Sequence, residues 1–161
     1  YFAAILSAKK RLWIASPYFV PDNGLLDALR LARRRGVDVR LLCLLRPDHL
    51  LSFYASRYYW ADMLTCGAKV YQYSRGMMHA KIVLVDDDWA MVGSANLDNR
   101  SLHLNFEINC LLYSTELVND LARRFQRDIE ESIPLDSWTF ANRSLMVRLL
   151  ENACRLLGPI L

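Results

Sequence analysis

Apolar residues recur along the chain with two different spacings, and each spacing predicts one type of secondary structure. Where they fall three or four residues apart, as Leu25, Ala28, Leu29 and Ala32 do, they predict a helix with one buried face. Short apolar runs that end at Gly, Pro or Asp predict strands. The predicted helices are 1–10, a segment between Asp22 or Asn23 and Gly36, 50–65, 114–131 and 141–157. The predicted strands are 11–15, 37–45, 69–73, 79–86, 89–93 and 106–113.

The alternation of these elements predicts an α/β fold, with a mixed or parallel β-sheet sandwiched between helices. Residues 37–45 are apolar almost throughout, which is typical of a strand covered on both faces. No repeat, low-complexity stretch or linker is visible apart from a turn around Pro134, so we treat 1–161 as a single domain. Because the chain begins at Tyr1 inside a predicted helix, we expect it to be part of a longer protein, with any membrane anchor upstream.

Composition indicates a globular chain rather than a disordered or membrane-spanning one. Hydrophobic residues make up 53% and charged residues 23%, with only six Gly and five Pro. No apolar run reaches the ~20 residues that a membrane-spanning helix needs, and no signal peptide is present. The net charge of +3 would suit an anionic substrate or a membrane surface, but it does not discriminate between partners.

The four cysteines do not form a recognisable metal or redox motif, because no two of them are in a C-x-x-C arrangement. They could form two disulfides, but Cys43 and Cys110 lie in apolar strand-like runs, where buried free thiols are commoner. We therefore expect reduced cysteines in the core. A zinc site is less favoured still, since none of the three histidines shares ligand spacing with a cysteine.

The segments 79–86 and 93–96 carry the residues most suited to phosphate chemistry. On a strand His79 and Lys81 would project from one face about 7 Å apart, as a nucleophile or general acid beside a fixed positive charge. After the next predicted strand, Gly93 lets the backbone approach a ligand. The hydroxyl of Ser94 and the amide of Asn96 can then hydrogen-bond the remaining phosphate oxygens.

Asp86 does not fit the same face. On a straight strand it would have the opposite parity to His79 and lie roughly 23 Å away, so it cannot hydrogen-bond the imidazole. We interpret Asp86 as a turn or structural residue, although it stays in the candidate catalytic set as part of the motif. The natural candidate for a carboxylate that orients the imidazole is Glu107.

The pattern H-x-K-x4-D-x6-G-S-x-N, met by 79–96, resembles the signature of the phospholipase D superfamily. The flanking segments narrow the resemblance to the second catalytic half of bacterial cardiolipin synthases, and the similarity covers essentially the whole chain. The ending 157–161 is similar to the natural C-terminus of that family. The other segments that carry the resemblance are 16–21, 35–39, 67–71, 96–102 and 104–107.

The resemblance implies a role for each matching residue. His79 would attack a phosphodiester to form a phosphohistidine, or would protonate the leaving oxygen when the opposite half attacks. Lys81, Ser94 and Asn96 match phosphate-binding positions, and Glu107 matches a glutamate that hydrogen-bonds the motif histidine. The family uses no metal for this chemistry, so we expect no cofactor.

The resemblance also implies a reaction and its partners. The expected function is the synthesis of cardiolipin from two molecules of phosphatidylglycerol, with release of glycerol, at the bacterial inner membrane. A second catalytic half from the same longer chain or a homodimer would complete the site, and no nucleic-acid partner is expected. The alternatives are a hydrolytic phospholipase D, a phosphodiesterase or nuclease, and a non-catalytic half that binds anionic lipid.

Three further features have competing interpretations. The run 33–35 could be a basic patch, but it is more simply a helix end that complements the helix dipole. The aromatic residues within 53–60 could contact lipid, although packing of the helix is the default. The apolar side of 145–157 could rest on an anionic membrane or pack against its own domain.

Overall fold

The computed structural model describes residues 1–46 and 48–160, which fold as layers of helices on both sides of one main sheet. The last residue of the predicted C-terminal motif, Leu161, lies outside the described residues. The helices are α1 (Phe2–Ser7), α2 (Asn23–Arg34), α3 (Leu50–Thr65), α4 (Thr115–Glu130), α5 (Ser137–Ala141) and α6 (Leu145–Leu156), with a π-helix at Arg100–Leu104 and a 3-10 turn at Gly158–Ile160. The strands are β1 (Arg11–Ala15), β2 (Phe19–Val20), β3 (Asp38–Leu44), β4 (Lys69–Tyr73), β5 (Ile82–Val85), β6 (Trp89–Gly93), β7 (Leu97–Asp98), β8 (Asn109–Leu112) and β9 (Ser132–Pro134).

The main sheet has the order β8-β6-β5-β1-β3-β4-β9, so β1 lies at its centre. Strands β1, β3 and β4 are parallel, whereas β5, β6 and β8 continue the sheet on one side as an antiparallel meander. The short strands β2 and β7 form a separate parallel pair. The α/β class and the mixed sheet predicted from the sequence are confirmed.

Alternating side chains of β1 show how the sheet separates two cores. Leu12 and Ile14 are buried in the cluster that contains the apolar sides of α1, α2 and α3. Trp13 and Ala15 are buried in the cluster on the opposite face, which α4 covers. The sheet is therefore sandwiched between helices, as its apolar strands require.

Most predicted elements occur close to their predicted bounds, and the differences concern their ends. Strands 11–15, 69–73 and 89–93 are confirmed residue for residue, and the helix predicted after Asp22 is capped by the Asp22 carboxylate. The strand predicted at 79–86 is shorter and begins at Ile82. The reason is that its partner β1 ends at Ala15, which pairs with Ile82, so no neighbouring strand continues the ladder.

Two expectations about the periphery are wrong. Pro134 does not lie in a linker but in β9 at the edge of the sheet, where proline is tolerated because its missing N–H is not needed by a further strand. Cys110 is exposed rather than buried, because β8 is the opposite edge strand. Cys43 and Cys154 are buried, and all four cysteines are free thiols.

Candidate active site

The pairing of β5 with β6 brings the two segments of the sequence motif together. Ile82 pairs with Val92, and just beyond this pair the N–H of Gly93 donates to the carbonyl of Lys81 at 3.1 Å. His79 and Lys81 thus approach the site before β5 begins, and Ser94 leaves β6 beside them. The chain reverses direction at 86–88, so Lys81 and Gly93 are in contact although they are more than ten residues apart in the sequence.

Lys81 is the positive charge of this site. Its side chain is almost buried, with 8% of the residue exposed, and its ammonium donates to the carbonyl of His79 at 3.0 Å. Burial lowers the pKa of Lys81, while the carboxylates of Glu107, Asp98 and Asp48 oppose that shift. A desolvated ammonium favours an anionic partner such as a phosphate, because the anion replaces the interaction with water that burial removes.

His79 is exposed, unlike its neighbour Lys81. Within residues 1–46 and 48–160, the imidazole has no hydrogen-bond partner. The ring is therefore accessible to a substrate.

Ser94 and Glu107 form a hydrogen-bonded pair next to Lys81. The Ser94 hydroxyl donates to Glu107 Oε2 and accepts from the N–H of Ile108 at 3.0 Å, while Asn105 donates to Glu107 Oε1 at 3.2 Å. The Ser94 hydrogen bond is the main reason that the pKa of Glu107 lies below its usual value. The predicted hydrogen bond between His79 and Glu107 is not formed in the described part of the chain; Glu107 accepts from the side chains of Ser94 and Asn105 instead.

Asn96 carries a buried carboxamide oxygen that has no hydrogen-bond partner among the described residues. Buried polar atoms are usually paired, and a carbonyl oxygen can only accept, so this atom is suited to a donor such as a hydroxyl rather than to a phosphate oxygen. Gly93 was expected to let a ligand approach the backbone. Instead a Cβ at this position would lie 2.3 Å from the carbonyl oxygen of Ile108, so the glycine allows β8 to pack against β6.

Asp86 lies at the other end of β5 and is not brought to the other five predicted site residues. Its carboxylate accepts hydrogen bonds from the backbone N–H groups of Lys9, Lys10 and Arg11 at 2.7–2.9 Å. Only 6% of the residue is exposed, and its φ of 50° is in the left-handed region. Asp86 therefore fastens the turn after β5 to the connection between α1 and β1, as the parity argument predicted for a structural residue.

Sequence reasoning missed several groups that surround the site. Asp98 is buried and accepts from the N–H of Ser101 at 2.8 Å, and Tyr1 donates its hydroxyl to the carbonyl of Ala95 at 3.0 Å. Burial first, then Glu107 and Asp98, raise the pKa of Tyr1 to about 12. Asp98 stands two residues after Asn96 and could have been found by that spacing, whereas Tyr1 reaches the site only through the tertiary fold.

Among the described residues, no group of three or more His, Cys, Asp or Glu side chains is arranged to hold a metal ion. Over the same ranges, no helix is both long enough and apolar enough to cross a bilayer.

Sequence comparison places cardiolipin synthases among the relatives of this chain. The family model described as "Cardiolipin synthase, PLD-like domain" matches residues 1–129. Cardiolipin synthase from Geobacillus sp. (strain WCH70) is 49% identical over 161 residues, which are 100% of this chain and 32% of that protein. Cardiolipin synthase 2 from Bacillus cereus is 48% identical over 161 residues, or 31% of its length. The chain therefore spans about a third of the length of these curated relatives.

Solved structures share the fold at much lower identity. Phosphatidylserine synthase from Haemophilus influenzae Rd KW20 has a TM-score of 0.79 and 19% identity, over 99% of this chain and 44% of that one. Nuc from Salmonella typhimurium, a phospholipase D family member, has a TM-score of 0.73 and 23% identity, over 84% of this chain and 88% of that one. These likenesses concern the fold alone.

Proposed function

This chain belongs to the cardiolipin synthase family with a phospholipase D-like domain, and we propose that it is one catalytic half of an enzyme that makes cardiolipin from two molecules of phosphatidylglycerol. The reaction releases glycerol and passes through a phosphohistidine. The substrate is thus an anionic phospholipid, and no cofactor takes part. The observation that carries the proposal is the meeting of His79, Lys81, Ser94, Asn96 and Glu107 at one end of β5 and β6.

The first half-reaction uses one histidine as nucleophile and one as acid. A histidine nitrogen attacks the phosphorus of the first phosphatidylglycerol, forming a P–N bond as the P–O bond to glycerol breaks. The second histidine donates a proton to the departing glycerol oxygen. Lys81 neutralises the non-bridging oxygens. The amide N–H of Asn96 and the hydroxyl of Ser94, once it gives up its hydrogen bond to Glu107, donate to these oxygens. Either His79 or the histidine of the opposite half can be the nucleophile.

The second half-reaction reverses these steps with another lipid. A hydroxyl of the second phosphatidylglycerol attacks the phosphorus, its proton passes to the histidine that had served as acid, and the P–N bond breaks. The products are cardiolipin and the free histidine. The Glu107 carboxylate, with its pKa held low by Ser94, favours the positive charge on Lys81 throughout the cycle.

A second catalytic half must supply the other histidine, from the same longer chain or from a homodimer. The edge of the sheet next to the site supports such docking. Four large apolar residues in and around β8 expose at least half of their surface: Phe106, Ile108, Leu111 and Tyr113. An exposed apolar sheet edge beside an incomplete active site is what a docking surface requires.

We place the enzyme at the bacterial inner membrane, because its proposed substrates reside in a bilayer. In the part of the chain that is described, α6 turns Leu145, Met146 and Leu149 to solvent while its Glu151 is buried against Arg57 and pairs with it at 2.8 Å. An apolar outer surface of this kind suits contact with lipid or with upstream segments of the parent protein.

Mass analysis of reaction products tests the proposed function. The full-length parent is incubated with phosphatidylglycerol vesicles and, separately, with DNA. Cardiolipin with an equal amount of glycerol is the expected result. Phosphatidic acid as the dominant product would indicate a hydrolytic phospholipase D, because water rather than a lipid hydroxyl would resolve the phosphohistidine. DNA cleavage that depends on His79 would indicate a nuclease, and the absence of turnover on both substrates would indicate a non-catalytic half.

A further inference from the structure

A cleft of about 590 Å³ opens beside the phosphate site, between the start of α3 and the segment that follows β7. Tyr18, Asp48 and His49 line one side of it, and Asn96 and Asp98 line the other. The proposed chemistry above does not use Tyr18, Asp48 or His49. The cleft is therefore a candidate for binding a part of the substrate other than the reacting phosphate.

Two observations connect the cleft to the reacting centre. Asn96 belongs to both, since it lines the cleft and follows Ser94 in the phosphate site. Asn105 also belongs to both, since it lines the cleft and donates to Oε1 of Glu107 at 3.2 Å. The cleft therefore adjoins the candidate phosphate site through Asn96 and Asn105.

The chemistry of the lining suits hydroxyl groups. The Tyr18 hydroxyl and the N–H of His49 (at 2.9 Å) both donate to Oδ1 of Asp48. No hydrogen bond reaches Oδ2 of Asp48 from residues 1–46 or 48–160. Burial raises the pKa of Asp48, but the hydrogen bonds from Tyr18 and the backbone outweigh it and hold that pKa below its usual value. The cleft thus presents an ionised carboxylate oxygen and the lone pairs of a phenol, which are acceptors for hydroxyl donors.

The charges around the cleft indicate what else the bound group carries. Asp48 and Asp98 disfavour a bare anion between them. Arg100, exposed and lining the same cleft, makes no ion pair with any described residue. A polyol that bears a phosphate satisfies both conditions, since its hydroxyl groups can face Asp48 and its phosphate can face Arg100.

We infer that this cleft binds the glycerol headgroup of the acceptor phosphatidylglycerol, with Asp48 and Tyr18 accepting a hydrogen bond from the hydroxyl next to the one that attacks. The inference rests on the proposed function and explains how the enzyme selects a glycerol hydroxyl as the acceptor. The attacking hydroxyl is then held near the phosphorus, and simple alcohols and water lack the second hydroxyl that anchors it.

A competition between two three-carbon alcohols tests this inference. The full-length parent is given phosphatidylglycerol in mixed micelles together with deuterated glycerol and 1-propanol at equal concentrations. Mass analysis then gives the ratio of deuterated phosphatidylglycerol to phosphatidylpropanol. This ratio does not depend on how much of the enzyme is folded, so it isolates the choice of acceptor.

The wild-type enzyme should favour glycerol, and Asp48→Ala should reduce the ratio by about tenfold or more, because a hydrogen bond to a charged group is lost. Tyr18→Phe should reduce it by a smaller factor. Asp120→Ala is the matched control, since Asp120 is an exposed aspartate on α4, where it pairs with Arg123, and should leave the ratio unchanged.

The outcomes separate the inference from the proposed function. A wild-type ratio that persists in both Asp48→Ala and Tyr18→Phe, in an enzyme that makes cardiolipin, would overturn the inference alone. A wild-type enzyme that transfers phosphatidyl groups to no alcohol would overturn the proposed function, and the inference with it.

Discussion

Lys81 is the residue whose surroundings differ most from those of an ordinary strand lysine. It is nearly buried, its ammonium contacts the backbone of His79, and three carboxylates act on it. A buried charge costs free energy unless a partner compensates for it. The substrate phosphate is such a partner, so the position of Lys81 is understandable as a binding function rather than as a stabilising one.

Replacing this charge by a side chain of similar shape should therefore slow the reaction without unfolding the domain. We expect Lys81→Met in the parent enzyme to reduce kcat/KM for phosphatidylglycerol by about 100-fold or more, because charge stabilisation at the phosphate is lost. The measurement is a steady-state assay of glycerol release. Lys69→Met is the control, since Lys69 is half exposed and pairs with Asp38 away from the site. Equal losses in the two variants would contradict the role of Lys81.

The sequence motif identifies these residues but does not determine their contacts. His79, Lys81, Ser94 and Asn96 could be named from spacing alone, because β5 and β6 are adjacent in sequence and must pair. The partners of Glu107 could not, since they depend on how the segment before β8 folds back onto Ser94. Asp48 could not be found either, because its place in the cleft depends on a contact with Tyr18, whose hydroxyl donates to it from 30 residues away in the sequence.

At the scale of secondary structure, Asp86 joins the turn after β5 to the segment before β1. Its carboxylate is almost buried and accepts hydrogen bonds from three backbone N–H groups. Its backbone is in the left-handed conformation, which Asn tolerates but most residues do not. Burial raises the pKa of Asp86, but these hydrogen bonds and Lys10 outweigh it and keep that pKa below its usual value. The stabilisation of the folded protein by the Asp86 carboxylate is thus fully present above the pKa of this group in the unfolded chain, about 3.9. It is lost as the pH falls through the lower pKa of Asp86 in the folded protein.

Asp86→Asn should therefore lower the free energy of unfolding at neutral pH by about 1–3 kcal/mol, because an acceptor and its charge are removed from buried donors. The difference in unfolding free energy between Asp86→Asn and the wild-type protein should shrink as the pH falls below the pKa of Asp86 in the unfolded chain and then through its lower pKa in the folded protein. Chemical denaturation of the parent protein at several pH values measures it. Asp88→Asn, in the same turn but exposed, should change little. A difference that is constant with pH would rule out the ionised carboxylate as the cause.

The elements that sequence patterns missed are short or lie at edges. Strands β2 and β7 have two residues each and pair only with one another, so neither can show a periodicity. The helix predicted at 141–157 corresponds to α6, which begins only at Leu145 because Ser144 caps it by accepting from the N–H of Val147. The short helix α5, which ends at Ala141, was not predicted. Long elements with one apolar face were predictable, since a buried face leaves a repeating pattern.

At the scale of the whole molecule, the proposed catalytic half-site lies beside an exposed apolar edge of the sheet. Ile108 bonds to Ser94 through its backbone only, while its side chain is 73% exposed. An isolated half can hold a phosphate but lacks the second histidine. We therefore expect this chain, if expressed alone and monomeric, to have little activity.

A charge on the docking edge should separate the halves without damaging this one. In the parent enzyme, Ile108→Glu should reduce cardiolipin synthesis by about tenfold or more, because an apolar contact would have to bury a carboxylate. The thermal unfolding of the domain should change little. Leu31→Glu, an exposed leucine on α2, is the control. Full activity of Ile108→Glu would contradict docking at this edge.

The most direct test of the central claim is the rate at which the parent enzyme makes cardiolipin from phosphatidylglycerol with and without His79. His79→Asn keeps a side chain of similar reach that can neither carry a phosphoryl group nor transfer protons. With a thermal unfolding curve like that of the wild-type protein, this variant should form no cardiolipin above background, whichever of the two histidines is the nucleophile. A rate within tenfold of the wild-type value would contradict the claim that this chain supplies a catalytic half.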